Sequence, residues 1–279
     1  MTFVTSGDLR LWVERVGGRA DPAVLLIAGA EGQGIGWPSG LVDRLVAGGL
    51  QVIRYDHRDT GESDSVDFDR SPYSMVDLVE DAVAVLDGLQ VESAHLVGAS
   101  MGGVIAQWLA ATHPDRVLSL TVMSTTAAGR TDLPPPDASF LARAEEIARL
   151  PRGTDQERVD ADVQVYELMN GGSLPFDEKA ARDLAQQHFA RARDWAKSAN
   201  HHRIGEQRNE PPALTAISAP TLVIVGETDP IFPPAHAEAV AEGIPGARAV
   251  RVPGMGHTYF SPGLPEHLAD QILAFIQEP

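Results

Sequence analysis

Residues 95–103 read HLVGASMGG, an apolar run followed by a serine framed by glycines two residues away on either side. In a chain of 279 residues with 26 glycines, G-x-S-x-G is a pattern that chance can supply, so the flanking residues must decide whether Ser100 is a nucleophile or a turn residue. Before it, SAHLVGA (93–99) is short and apolar, as a buried strand is. After it, MGGVIAQWLAATHP (101–114) has the length and composition of a helix and stops at a proline. A serine on a sharp strand-to-helix turn holds its hydroxyl outward, and the close crossing leaves no room for Cβ atoms at Gly98, Gly102 and Gly103.

The same β/α rhythm runs outward from this stretch. LRLWVERV (9–16) alternates like a half-buried antiparallel edge strand, whereas AVLLIAGA (23–30) is continuously apolar like a central one. Helix LVDRLVAGG, strand QVIRYD, helix MVDLVEDAVAVLDGL with its Ser74/Asp77 capping box, and strand RVLSLTVMS follow. Strands alternating with helices predict an α/β fold with a mostly parallel, doubly wound sheet. The alternation breaks near Ala127, and the segments 137–150, 154–170 and 176–202 all read as helical. It resumes with APTLVIVG, PAHAEAVAEGI, ARAVRVP and LPEHLADQILAFIQ. The expected organisation is a core of residues 1–126 and 213–279 with an all-helical cap, residues 127–212, over the strand ends, where such folds bind ligands.

A serine hydroxyl needs a base within hydrogen-bond reach, and the base needs an orienting carboxylate. His257 stands in the Gly-rich loop of RVPGMGHTYF, and Asp229 follows the strand of TLVIVGETDP, with Glu227 as its rival. Of the nine histidines, His57, His95 and His113 lie beside strands or a helix end and read as hydrogen-bonded structural residues. His201 and His202, within the cap that also holds His188, could line the pocket but read more readily as a solvated helix end, while His236 and His267 read as exposed helix positions. The oxyanion of a tetrahedral intermediate would take one N–H from Met101 and another from the loop after AVLLI, where Ala30 leads over Gly29 and Glu31. In DHRDTGES, Asp56 and Arg58 read as a structural ion pair.

Composition narrows the partners. A formal charge of −17 disfavours phosphate backbones and acidic membrane surfaces, so neither nucleic acid nor membrane is an expected partner. With no cysteine, no H-E-x-x-H, no G-x-G-x-x-G and no Walker A sequence, neither a metal nor a nucleotide cofactor is expected. The start, MTFVTSGDLRLWVERVGG, carries no basic-then-apolar export pattern, and a cytoplasmic monomer or homodimer acting on a small-molecule ester is the expectation.

Taken together, the AGA loop, YDHRDTGES, GASMG, GETDP and GMGH resemble, in order, the α/β-hydrolase superfamily. VIRYDHRDTGES, DAVAVLDGL, PTLVIVGETDPIFP and IPGARAVRVPGMGH are more narrowly similar to the aclacinomycin methylesterase type, which removes a methyl ester from a polyketide-derived aromatic antibiotic. The resemblance implies an α/β-hydrolase sheet, a triad of Ser100, Asp229 and His257, and an oxyanion hole at Ala30 and Met101. It also implies cofactor-independent ester hydrolysis through an acyl-enzyme. This chain departs from many members in having Ala28-Gly29 where they have His-Gly, and in placing Glu31 beside the presumed donor. The same triad could open a lactone, cleave a carbon–carbon bond or make peracids, or sit in a small-molecule receptor that does not turn over.

Overall fold

The computed structural model describes residues 1–207 and 209–278. Its strands are β1 (Thr2–Ser6), β2 (Leu9–Val16), β3 (Ala23–Ile27), β4 (Gln51–Tyr55), β5 (Ala94–Ala99), β6 (Val117–Met123), β7 (Thr221–Gly226) and β8 (Arg248–Val252). They form one eight-stranded sheet in the order β1-β2-β4-β3-β5-β6-β7-β8. The β1–β2 and β2–β4 pairs are antiparallel and all others parallel. The antiparallel edge is therefore β1, with the predicted edge strand β2 second in the sheet. The β2 side chains Leu11, Trp12 and Val13 are all buried because β1 and β4 flank it and Arg191, from the chain between β6 and β7, lies over the Trp12 ring.

Every residue of β3 is buried, and its alternation splits the core in two. Leu25 and Ile27 face one apolar layer with Ile53, Leu96 and Val223, packed under α2 (Met75–Gly88), α3 (Met101–Thr112) and α7 (Pro234–Gly243). Val24 and Leu26 face the other, packed under α1 (Ser39–Ala47) and α8 (Leu264–Ile276). This two-faced burial makes the parallel strands read as continuous apolar runs. The Ser74/Asp77 capping box starts α2 as its sequence requires.

Between β6 and β7 the chain forms α4 (Ala138–Ala148), α5 (Asp155–Met169), α6 (Glu178–Arg191) and a 3₁₀ run over Trp195–Glu206. The single helix predicted over 176–202 is thus broken. Ala192 is extended, and the Arg193 N–H leaves the helix to donate to Gly61 O at 2.9 Å. Among the described residues no helix is long and apolar enough to cross a membrane.

The direction of winding reverses at β3, whose parallel neighbours are β4 on one side and β5 on the other. Loops leaving the carboxyl ends of β3 and β5 meet there, at the crevice where open α/β sheets bind ligands. Residues 98–103 make that meeting possible. A Cβ on Gly102 would overlap the Ile27 and Ala28 carbonyl oxygens, and one on Gly103 would lie 2.6 Å from Thr125 Oγ1. Gly205, by contrast, faces open space. Gly102→Ala is expected to destabilise the protein by about 3 kcal/mol or more by overpacking, while Gly205→Ala stays within about 0.5 kcal/mol of the parent, read as urea midpoints.

Candidate active site

Ser100 lies between β5 and α3 with φ +54° and ψ −124°, a conformation that L-residues rarely adopt. The strain is held by the backbone on both sides. Its N–H donates to Met123 O at 3.1 Å, and its carbonyl accepts from Gly103 N–H at 2.9 Å, Val104 N–H at 3.3 Å and Thr125 Oγ1 at 2.7 Å. The loop after β3 lies directly alongside. A Cβ built on Gly29 would stand 3.1 Å from Ser100 Cβ and 3.6 Å from its Oγ, so a larger residue there would press on the hydroxyl.

Asp229 and His257 come from the loops after β7 and β8, and the structure brings them together. His257 Nδ1 lies 2.9 Å and 3.1 Å from the two Asp229 oxygens. A carboxylate in that position fixes the ring proton on Nδ1 and leaves Nε2 as the acceptor. Asp229 is itself oriented, because Oδ1 accepts from the Ile231 and Phe232 N–H groups at 2.9 Å each. Both side chains are buried, whereas Glu227 is exposed. The His257 N–H donates to Met169 O at 2.7 Å, tying the loop of His257 to the end of α5. Among the described residues no hydrogen bond joins Ser100 to His257, a contact that in such sites often closes only around a reacting group.

Of the three oxyanion candidates in the β3 loop, the structure removes one. The Glu31 N–H donates to His201 Nδ1 at 2.9 Å. The N–H groups of Ala30 and of Met101, the first residue of α3, have no protein acceptor among the described residues. A free N–H at the start of a helix is a standing donor for developing negative charge.

Several polar residues around the site differ from expectation. Asp56 does not pair with Arg58. It is fully buried, accepts from Gly34 N–H at 2.8 Å and Glu62 N–H at 2.9 Å, and pairs with Arg191 of α6 at 2.8 Å. Burial pushes its carboxyl above the usual range, against the pull of Arg191. Arg58 instead grips Asp81 of α2 at 2.7 and 2.8 Å. His201 is buried between the β3 loop and Arg58, not on a solvated helix end, and burial pulls it down to about 3. His236 is also buried, bonded to Thr126 Oγ1 and Pro134 O at 2.8 Å each, because Phe232 and the chain after β6 fold over α7. The one signal for the His201 contact was the adjacent pair His201-His202 within an otherwise helix-forming stretch. A cleft of about 680 Å³ opens on the Asp229 side of the site, lined by Phe140, Glu167, Leu168, Glu227 and Asp229.

The family described as alpha/beta hydrolase fold matches over residues 22–263. Two relatives, the rhodomycin D methylesterases DauP of Streptomyces sp. (strain C5) and DnrP of Streptomyces peucetius, are each 38% identical over 276 residues, covering 91% of this chain and 91% of theirs. An esterase from Exiguobacterium antarcticum shares the fold with a TM-score of 0.78 at 21% identity, over 99% of both chains.

The loop beside Ser100 carries a titratable tether. Glu31 accepts from His202 Nε2 at 2.7 Å and from Ser198 Oγ at 2.9 Å, and the His202 bond holds its carboxyl below the usual range while raising the imidazole. Because the histidine's folded pKa is raised, the stability it contributes is present at acid to neutral pH and lost as pH rises through that folded value. Because the carboxylate's is depressed, its contribution disappears only as pH falls through its own folded value. A titration of His202 by NMR is expected to give a midpoint above the ordinary imidazole value, and Glu31→Gln is expected to lower it, since both raising influences come from Glu31 and only burial remains.

Proposed function

The chain belongs to the α/β-hydrolase family, and on that premise we propose that it is a carboxylic ester hydrolase whose substrate is the methyl ester of a bulky, polyketide-like molecule. The observations that carry the chemistry are the buried Asp229–His257 pair and the strained Ser100, with the Met101 and Ala30 N–H groups lacking a protein acceptor among the described residues. The substrate class rests on the kinship with two methylesterases along nine-tenths of the chain.

In the proposed reaction Ser100 Oγ attacks the ester carbonyl while His257 Nε2 takes its proton. Asp229 keeps the ring proton on Nδ1 and stabilises the imidazolium that forms. The Ala30 and Met101 N–H groups face the oxyanion of the tetrahedral intermediate, where preorganised donors act at full strength because they need not turn. Collapse returns the proton from His257 to the leaving alcohol and leaves an acyl group on Ser100. Water, deprotonated by the same imidazole, then releases the acid and restores the serine. Residues 127–212 act as the cap of the proposed core, 1–126 and 213–279, and its α5 end supports His257 through Met169.

A serine-directed fluorophosphonate is expected to label Ser100 in the folded protein, and an ester panel from p-nitrophenyl acetate to polycyclic methyl esters is expected to show turnover. Folded protein that neither labels at Ser100 nor cycles on any ester rejects the reading. Asp229→Asn is expected to lower kcat by about 10⁴-fold through the wrong imidazole tautomer, whereas Glu227→Gln leaves it within about twofold. Near-normal turnover in the first and loss in the second would reassign the acid.

A further inference from the structure

We propose that His201 is a positioning residue for ester hydrolysis, acting through the backbone of Glu31 to fix the turn that aims the Ala30 N–H. The proposal rests on the ester-hydrolase reading and adds to it a residue from outside the triad and the oxyanion hole.

The geometry begins with the turn itself. The Gly32 N–H donates to Gly29 O at 3.1 Å, closing a four-residue turn with Ala30 and Glu31 at its centre. Glu31 has φ +60°, in the left-handed region that a side chain disfavours. Left alone, Glu31 would gain by returning to negative φ, and the backbone from Gly29 to Gly32 that carries the Ala30 N–H would have to reshape to allow it. His201 opposes that change. Its Nδ1 accepts from the Glu31 N–H at 2.9 Å and its Nε2 lies 3.0 Å from Arg58 O. An acceptor at Nδ1 places the ring proton on Nε2, which donates to that carbonyl, so both ring nitrogens are committed and the imidazole is neutral. The downward pull of burial on this ring favours the same neutral form.

The anchor behind His201 is rigid. Arg58, whose carbonyl it holds, is locked to Asp81 of α2 by two charge-assisted bonds at 2.7 and 2.8 Å. His57 holds the other side of the same loop. Its Nε2 donates to Ala28 O at 2.9 Å, and its ring meets that of His201 edge-on at 5.6 Å. Two imidazoles therefore bracket Ala30, one on the carbonyl two residues before it and one on the amide just after, and the Ala30 N–H between them has no protein acceptor among the described residues.

The two ring nitrogens can be separated by substitution. Asparagine places its carbonyl oxygen near the Nδ1 position and can still accept from Glu31, whereas glutamine reaches the Nε2 position and can still donate to Arg58. With p-nitrophenyl acetate, His201→Asn is expected to keep kcat within about threefold, while His201→Gln and His201→Ala lose about 100-fold in kcat with KM changed less than threefold. Thermal midpoints should fall by similar amounts in all three, so folding alone cannot produce the split. Amide exchange over residues 28–33, faster in the glutamine and alanine variants but not in the asparagine variant, reads the clamp whether or not this ester is turned over. Wild-type kcat in His201→Gln, asparagine no better than alanine, or unchanged exchange in all variants overturns the proposal. Wild-type protein inert on every ester, with the exchange pattern intact, would instead count against the ester-hydrolase reading.

Discussion

The constraint on which the site depends is the close crossing of three backbone segments: the loop after β3, the end of β5 and the first turn of α3. Gly98 would strike the Gly102 and Gly103 backbone if it carried a side chain, and Gly102 would strike the carbonyls that end β3. With those Cβ atoms absent, the chain can turn through Ser100 at φ +54°, a conformation costing on the order of 1–3 kcal/mol that the surrounding hydrogen bonds sustain. The same closeness sets the Gly29–Gly32 turn against the serine and leaves the Met101 N–H at the head of a helix. Hydroxyl and backbone donors thus share one place because the main chains are nearly in contact there.

Around this crossing, the chain between β6 and β7 is held by polar contacts as well as apolar ones such as Tyr166 and Phe176 on Phe260. Its own apolar cluster is small, centred on Val159, Val163 and Ala185 with Tyr166 and Phe176. Its attachments to the rest include Arg191 on Asp56, Asn200 on Asp59, and His201 on Glu31 and Arg58, all reaching loops that surround the site. Breaking one partner of a buried pair leaves an uncompensated charge, so such contacts fix position sharply even where they add little net stability. Glu31 illustrates the design: its carboxylate, which would otherwise place negative charge near the serine, is turned outward onto His202 and Ser198.

What could be read from residues alone follows the range of the interaction. The parallel sheet was legible because burial on both faces makes AVLLI and TLVIV continuously apolar, and the serine turn because its glycines answer a local steric demand. Asp229 and His257 were legible as loop residues after adjacent strands, since sheet topology converts chain order into proximity, and the structure brings them together. The break after Arg191 was not legible, because propensity favours helix there and a contact to Gly61 overrides it. Nor were the partners of Asp56, Arg58 and His201. Choosing Arg191 over Arg58 for Asp56 requires knowing that α6 returns to β4, a contact across 135 residues of chain that leaves no periodic mark. His236 was misread for a related reason: a small-residue helix looks exposed until the segment that covers it is known.

The order of parts along the chain has a consequence for synthesis. During translation, a nascent polypeptide extended through β6 already contains the strained serine and both of the proposed oxyanion amides, but neither the proposed acid nor the proposed base. Those enter with β7 and β8, which add in parallel register to the open edge left at β6. Folding from the N-terminal side therefore assembles the Ser100 half of the proposed centre first and adds the Asp229–His257 pair last. On the proposed reading, a half-made chain on the ribosome carries an inert serine, and reactivity arrives only with closure of the sheet.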